Sequence, residues 1–219
     1  MLAAVIFDMD GVLVDSEPIW QDVEVDVLGR LGVPLTRDRC KETMGFRVNE
    51  AVAHWYERYA WTGPTVDDVA EEIVGGVIAA IAERGELKEG ALEAVDFLQH
   101  RGVRLAIASS SYYRVIEAVL DRGGLAGRFE VVHSAEDEAN GKPDPAVYLT
   151  AASKLGVDPA LCVAIEDSPN GVLSAKRAGM DCVAVPDPGT ETDPVFAEAD
   201  LVLPSLTELP QHWAALTAL

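Results

Sequence analysis

The chain begins MLAAVIFDMDGVLVDSE (Met1–Glu17), in which Leu2–Phe7 is an apolar run fit for a buried strand, stopped by Gly11. Asp8 and Asp10 stand at the mouth of that run. One aspartate at a strand end commonly serves a turn. Two carboxylates there either end the strand or bind something, and the choice depends on what the rest of the chain brings to the same place.

Five more β-rich runs follow: Val103–Ala108, Glu130–Ser134, Leu161–Ile165, Cys182–Val185 and Leu201–Leu203. Between the later ones lie the helical patterns YRVIEAVLDRGG, DPAVYLTAASKLG and PNGVLSAKRAGM, each closing on the glycine expected just past a helix. Strands alternating with single helices predict an α/β fold with a Rossmann-like parallel sheet and right-handed crossovers. Such a sheet binds ligands at the carboxyl ends of its strands.

The connection from Leu2–Phe7 to Val103–Ala108 is far longer than the dozen or so residues a crossover requires. Its excess reads as helices: EPIWQDVEVDVLGRLG, TRDRCKETMG, RVNEAVAHWYERYAW and TVDDVAEEIVGGVIAAIAERG, with EGALEAVDFLQHRG completing the crossover. The expected organisation is therefore an α/β core of residues 1–14 and 89–219, with an all-helical domain of residues 15–88 inserted directly after the aspartate pair.

Composition narrows the partners. With 49% hydrophobic and 25% charged residues among 219, the chain is an ordinary globular protein. Its 37 acidic against 17 basic residues give a net charge of −20, which repels nucleic acid and anionic membrane, so neither is expected as a partner. A phosphate-bearing ligand must then be met locally, by a few basic groups or a metal. Cys40, Cys162 and Cys182 are scattered without a CxxC pair, which argues against disulfides and zinc and for a reducing cytoplasm, with the thiols as small core residues. No basic stretch with an apolar core precedes the first strand, and IVGGVIAAIA (Ile73–Ala82) is too short to span a bilayer. It is expected to be a buried helix, and the protein a monomer.

The polar candidates all fall just after strands. Asp8 and Asp10 follow the first, Ser109, Ser110 and Ser111 the second, Lys142 lies beyond the third, and Glu166 with Asp167 follow the fourth. Singly, Ser109 fits a helix cap, Lys142 a solvated loop lysine, and Glu166 to Ser168 a helix start. Caps do not require acid at two strand ends and base at a third, so jointly these residues point to one crevice. An oxygen-only acidic set without His or Cys suits a hard cation such as Mg²⁺, which takes a substrate phosphate as a ligand. A lysine and a hydroxyl then neutralise the phosphoryl oxygens, and the carboxylate nearest phosphorus can act as nucleophile.

FDMDGVLVDSE, the serines after VRLAIA, GKPDP and IEDSPNG together resemble the four signature motifs of the haloacid dehalogenase superfamily, in the subgroup with a helical cap. That resemblance runs the length of the chain. It implies Asp8 as nucleophile, Asp10 as general acid and base, and Ser109, the backbone around Ser110, and Lys142 as holders of the phosphoryl group. It also implies Mg²⁺ held by Asp8, the Asp10 carbonyl and Asp167, with Glu166 close by, and Lys142 keeping Asp8 ionised. Within the family, HWYERYAWTGP, KLGVDPALCVAIEDSPNG and VPDPGTETDPVFAEADLVLPSLTEL are similar to the bacterial phosphatases of 2-deoxyglucose 6-phosphate and hexitol phosphates.

Asp10 discriminates among relatives, because a dehalogenase needs no proton donor for a leaving alkoxide whereas cleavage of a C–O–P ester does. The resemblance therefore implies a phosphatase of small phosphorylated sugars or sugar alcohols. A β-phosphoglucomutase-like isomerase shares every core motif and stands as the alternative. Such mutases carry Lys and Asn in the loop after the serine motif to grip a second phosphate, whereas this chain has Tyr112 and Tyr113 there. In the cap, Arg47 follows the break TMGF and either reaches a substrate hydroxyl or anion or starts a helix in solvent. Trp20, Trp55, Tyr56 and Trp61 either line a sugar-binding wall or, as is commoner for aromatics in a helical domain, form its core. His54, His100, His133 and His212 have no matching partners in the sequence and receive no role.

Overall fold

A computed structural model describes residues 2–187 and 189–217. The chain runs β1 (Ala4–Phe7), α1 (Glu17–Arg30), α2 (Arg37–Cys40), α3 (Val48–Tyr59), α4 (Val66–Arg84), α5 (Ala91–His100), β2 (Arg104–Ser109), α6 (Tyr113–Arg122), β3 (Val131–Ser134), α7 (Ala146–Leu155), β4 (Cys162–Glu166), α8 (Pro169–Arg177), β5 (Asp181–Ala184), β6 (Leu201–Val202) and α9 (Trp213–Leu216). The strands form one parallel sheet in the order β3-β2-β1-β4-β5-β6. This is the expected α/β, Rossmann-like architecture with an all-helical insertion. Every expected strand and helix is present, with ends displaced by a few residues, as helix and strand termini usually are.

Strand β1 is central and wholly buried, and its alternation assigns the two faces of the sheet. Val5 and Phe7 join one apolar core with Leu98 of α5 and Val115, Ile116 and Val119 of α6. Ala4 and Ile6 join the other with Tyr148 and Ala151 of α7 and Val172 and Ala175 of α8. The register sets Phe7 beside Ile107 and Ile165, so the residues that follow these strands emerge side by side.

The inserted helices pack chiefly on each other, α4 against both α1 and α3, and α4 also reaches α6. Ile73, Val74, Val77 and Ile81 are buried, as the apolar run predicts. Thr65 caps α4 reciprocally: its hydroxyl accepts from Asp68 N at 3.1 Å and its own N–H donates to the Asp68 carboxylate at 2.9 Å. The chain leaves and re-enters the core along two antiparallel connectors, joined by Asp15 N to Glu86 O (2.9 Å) and Lys88 N to Leu13 O (3.0 Å). No helix among the described residues is long and apolar enough to cross a membrane.

Candidate active site

Asp8 follows β1, Ser109 ends β2, Lys142 lies in the loop after β3, and Glu166 ends β4, so one end of the sheet collects four signature residues. Asp8, Lys142, Glu166 and Asp167 are all buried. Lys142 Nζ donates to Asp8 Oδ1 at 2.7 Å and to Glu166 Oε1 at 2.6 Å. The remaining capacity of Glu166 is filled by the Tyr148 hydroxyl (2.6 Å), the Asp167 and Ser168 amides (3.2 and 3.4 Å) and the Ser168 hydroxyl (3.2 Å). Glu166 is thereby fixed as the support that aims Lys142 at Asp8.

Two glycines are required by this crowding. Gly11 has φ +72°, and a Cβ there would meet Asp167 Oδ2 at 1.9 Å. A Cβ on Gly171 would meet the Glu166 carboxylate at 1.9 Å. The glycines of DMDG and SPNG thus leave room for the carboxylates of the fourth signature.

The electrostatics are unbalanced toward negative charge. Burial raises the Asp8 carboxyl to about 7; the Lys142 ammonium opposes that rise, while Glu166 and Asp10 add to it. Asp167 is raised well above the ordinary carboxylate range by burial and by the charges of Asp8 and Glu166. Burial favours loss of the Lys142 proton, but its two carboxylate partners outweigh burial and hold the ammonium above its usual value. Asp8, Glu166 and Asp167 each offer a carboxylate oxygen, these atoms lying within 4.8 Å of one another, although those of Glu166 are already engaged by Lys142, Tyr148 and Ser168. One ammonium against three buried carboxylates leaves a charge deficit that a divalent hard cation fits, and an all-oxygen donor set suits Mg²⁺.

Asp10 sits at the edge of the crevice with its carboxylate gripped by three donors. Ser16 Oγ (2.6 Å) and Trp20 Nε1 (2.9 Å) bind Oδ1, and Ser111 Oγ binds Oδ2 at 2.7 Å. Ser109 Oγ accepts the Ser111 amide at 3.0 Å. Ser110 lines the crevice, and its hydroxyl donates to the Gly45 carbonyl at 2.9 Å, so it also fastens the inserted segment to the core. Asn170 Nδ2 does the same to Met44 O at 3.1 Å.

Arg47 is the residue whose placement departs most from expectation. It does begin α3, as the N-cap, but its side chain is only 11% exposed and turns to the core. Its guanidinium donates to the carbonyls of Ala135 (3.3 Å), Glu138 (2.9 Å) and Ala139 (3.3 Å) and pairs with Glu50 at 2.5 Å. In this arrangement it contacts the β3–α7 connection and is absent from the lining of the crevice. Trp55 and Trp61 are buried in the helical core and Tyr56 packs edge-on against Trp61 on the outside, so none of the three forms a sugar wall. The Tyr113 hydroxyl is engaged by Asp137 (2.9 Å) and His133 (3.2 Å). His133, which had no evident partner in the sequence, also bonds Glu138 at 2.7 Å.

Ser16 and Tyr148 were not singled out by sequence reasoning; Ser111 was seen only as part of the serine motif and Trp20 only as a candidate for a sugar wall or the helical core, whereas both line the crevice and hold Asp10. A signal existed for Tyr148, because it falls on the buried face of α7 with Val147, Ala151, Ala152 and Leu155, and a buried tyrosine hydroxyl needs a partner. Trp20 lies one turn beyond Ser16 at the start of α1, a spacing that puts both side chains on one side of the helix. Nothing local tells that this side faces Asp10.

The haloacid dehalogenase-like hydrolase model matches residues 2–179. Hexitol phosphatase B of Escherichia coli strain K12 is 43% identical over 209 residues, covering 95% of this chain and 94% of the relative. Phosphorylated carbohydrates phosphatase of Thermotoga maritima is 32% identical, covering 82% and 83%. Among solved structures, CbbY of Rhodobacter sphaeroides in complex with phosphate superposes with a TM-score of 0.84 at 29% identity, covering 95% of this chain and 96% of that one. With its signature residues gathered at one end of the sheet and a family match over most of its length, the chain belongs to the haloacid dehalogenase-like hydrolases.

Proposed function

We propose that this phosphatase is a Mg²⁺-dependent hydrolase of small phosphorylated sugars or sugar alcohols, such as 2-deoxyglucose 6-phosphate and hexitol phosphates, with residues 15–88 as the cap over its crevice. The observation that carries this reading is the pairing of Asp8, held by Lys142, with Asp10, held two residues on by three hydrogen bonds. The names of the E. coli and T. maritima relatives support the substrate class.

Asp8 attacks phosphorus with a carboxylate oxygen, and the bond from phosphorus to the sugar oxygen breaks. Asp10 gives that oxygen a proton, then takes one from the water that attacks the aspartyl phosphate, and the bond from phosphorus to Asp8 breaks to release phosphate. Lys142, Ser109 and the backbone around Ser110 hold the phosphoryl oxygens. Mg²⁺ bound by Asp8, the Asp10 carbonyl and Asp167 would neutralise charge on the phosphoryl group. Glu166 keeps Lys142 in place. Arg47, tied to core carbonyls, steadies the closed cap and does not hold substrate in this arrangement.

Tyr112 and Tyr113 favour hydrolysis over isomerisation, since the Tyr113 hydroxyl is already bonded to Asp137 and no lysine of that loop is there to hold a second phosphate. A phosphate-release screen with Mg²⁺ over hexose, pentose, polyol and nucleotide phosphates tests the reading. Steady release from hexitol or hexose phosphates is expected, without interconversion of glucose 1-phosphate and glucose 6-phosphate even when a sugar bisphosphate is supplied. Isomerisation faster than phosphate release would make the enzyme a mutase.

A further inference from the structure

The face that α1 turns to the crevice repeats at helical spacing: Glu17, Trp20, Gln21 and Glu24 all line it, opposite Asp8 and Lys142. Three of these have partners. Trp20 holds Asp10, and the Gln21 amide donates to Glu17 at 2.9 Å. Glu24 is different. It is 8% exposed, and among the described residues no cation pairs with it and its carboxylate has only the Cys40 thiol, a weak donor that also donates to the Thr36 carbonyl at 3.4 Å.

A buried carboxyl served only by a thiol costs stability, so one that faces a cavity is best explained by what enters the cavity. We propose that Glu24 reads the hydroxyl groups of the substrate's leaving group, selecting phosphorylated polyols and sugars over less hydroxylated esters. This rests on the phosphatase reading above and adds the residue that chooses the substrate.

The position suits the task. Trp20 touches Asp10, which serves the oxygen leaving phosphorus, and Glu24 lies one turn further along the same helix, ~6 Å away at the rise of an α-helix. A short polyol chain extending from its phosphate covers such a span. The chemistry suits it too. Burial, assisted by the charge of Glu17, lifts the Glu24 carboxyl to about 8, so near neutral pH it keeps its proton and both donates and accepts. A sugar hydroxyl also does both. Among the described residues no cation pairs with Glu24, whereas Lys142 stands beside Asp8, so the anionic end of the substrate has its cation at the Asp8 end of the crevice.

The test compares kcat/KM for a hexitol 6-phosphate and for p-nitrophenyl phosphate in wild type, Glu24→Leu and Glu24→Gln, with thermal melts to confirm folding. Leucine fills the space without hydrogen bonding; glutamine keeps the shape and both hydrogen-bonding roles. The ratio of the two specificity constants is expected to fall at least about tenfold in Glu24→Leu, mainly through KM for the hexitol phosphate, and to stay within about threefold of wild type in Glu24→Gln. An unchanged ratio in Glu24→Leu, whether both activities drop or neither does, overturns the proposal. Wild-type enzyme that turns over p-nitrophenyl phosphate but no sugar or polyol phosphate would instead refute the substrate reading, and the role of Glu24 with it.

Discussion

The indole N–H of Trp20 donates to Oδ1 of Asp10 at 2.9 Å, and this bond joins a helix of the inserted segment to the loop that follows β1. Ser16 on the same side of the chain and Ser111 from the loop after β2 complete the grip, so three elements must be in place before the Asp10 carboxylate is aimed. On the proposed role of Asp10 as general acid and base, its carboxylate is aimed only where the helical segment sits on the core, which is one physical way to keep water from reacting in an open site.

Trp20→Phe keeps the aromatic bulk and removes only the N–H. General acid and base catalysis contributes typically 10²–10⁴-fold, so a loosened Asp10 is expected to lose about tenfold in kcat on alkyl phosphates. The loss should be smaller on p-nitrophenyl phosphate, whose leaving group hardly needs a proton. Equal losses on both would mean that Trp20 acts on binding or folding and not through Asp10.

Asp8→Asn should remove turnover while leaving the fold intact, because an amide is a poor nucleophile and cannot form the acyl phosphate. The substitution also relieves the buried cluster of one carboxylate, so a thermal melt should show no loss of stability beyond that of the Lys142 bond. Phosphate release within tenfold of wild type would rule out Asp8 as nucleophile.

Much of this arrangement was legible in the sequence. The order of strands and helices follows from periodicity and from glycine at helix ends, and the excess length between the first two strands reveals the insertion. Asp8, Glu166 and Asp167 are identified because each stands at the end of a strand, and a parallel sheet brings such positions together whatever the details of packing, while Lys142 is reached through the longer loop after β3. The face of α1 could not be read in the same way. Its apolar residues are too evenly spread to mark one side, and Ser16, Trp20 and Glu24 acquire meaning only once the helix is docked over the crevice. Arg47 illustrates the converse: its place before a helix was visible, but the carbonyls it binds lie almost a hundred residues away in sequence.

The metal assignment is testable both through activity and apart from it. Chelation is expected to abolish phosphate release and Mg²⁺ to restore it, with Ca²⁺ a poor substitute because its larger and looser shell misplaces phosphorus relative to Asp8. Mg²⁺ should also raise the melting temperature, since an ion bound among buried acids stabilises only the folded state. Asp167→Asn should abolish that rise. Full activity in chelator, or an identical Mg²⁺ shift in Asp167→Asn, would contradict the site.

Glu24 predicts a pH dependence whose sign is fixed. Its carboxyl is raised from 4.5 to about 8, burial being the larger cause and the charge of Glu17 the next, with the Cys40 thiol opposing weakly. The folded protein therefore holds a proton that the unfolded chain releases above the ordinary range of a glutamate. The stability it contributes is fully present below pH 4.5 and is lost progressively as pH rises, until the folded carboxyl itself ionises near pH 8. Other buried acids of the crevice titrate as well, so the informative quantity is the difference between wild type and Glu24→Gln, which cannot ionise at that position. Urea denaturation from pH 5 to 9 should show the variant gaining on wild type by up to ~1.4 kcal/mol per pH unit between about pH 5.5 and 7.5, with no further gain above about pH 8.5. Parallel curves would mean that water or an unrecognised partner keeps the Glu24 carboxylate solvated. A gain of the predicted form would identify Glu24 as a group retained at a cost to stability, the pattern expected where a side chain is kept for what it binds.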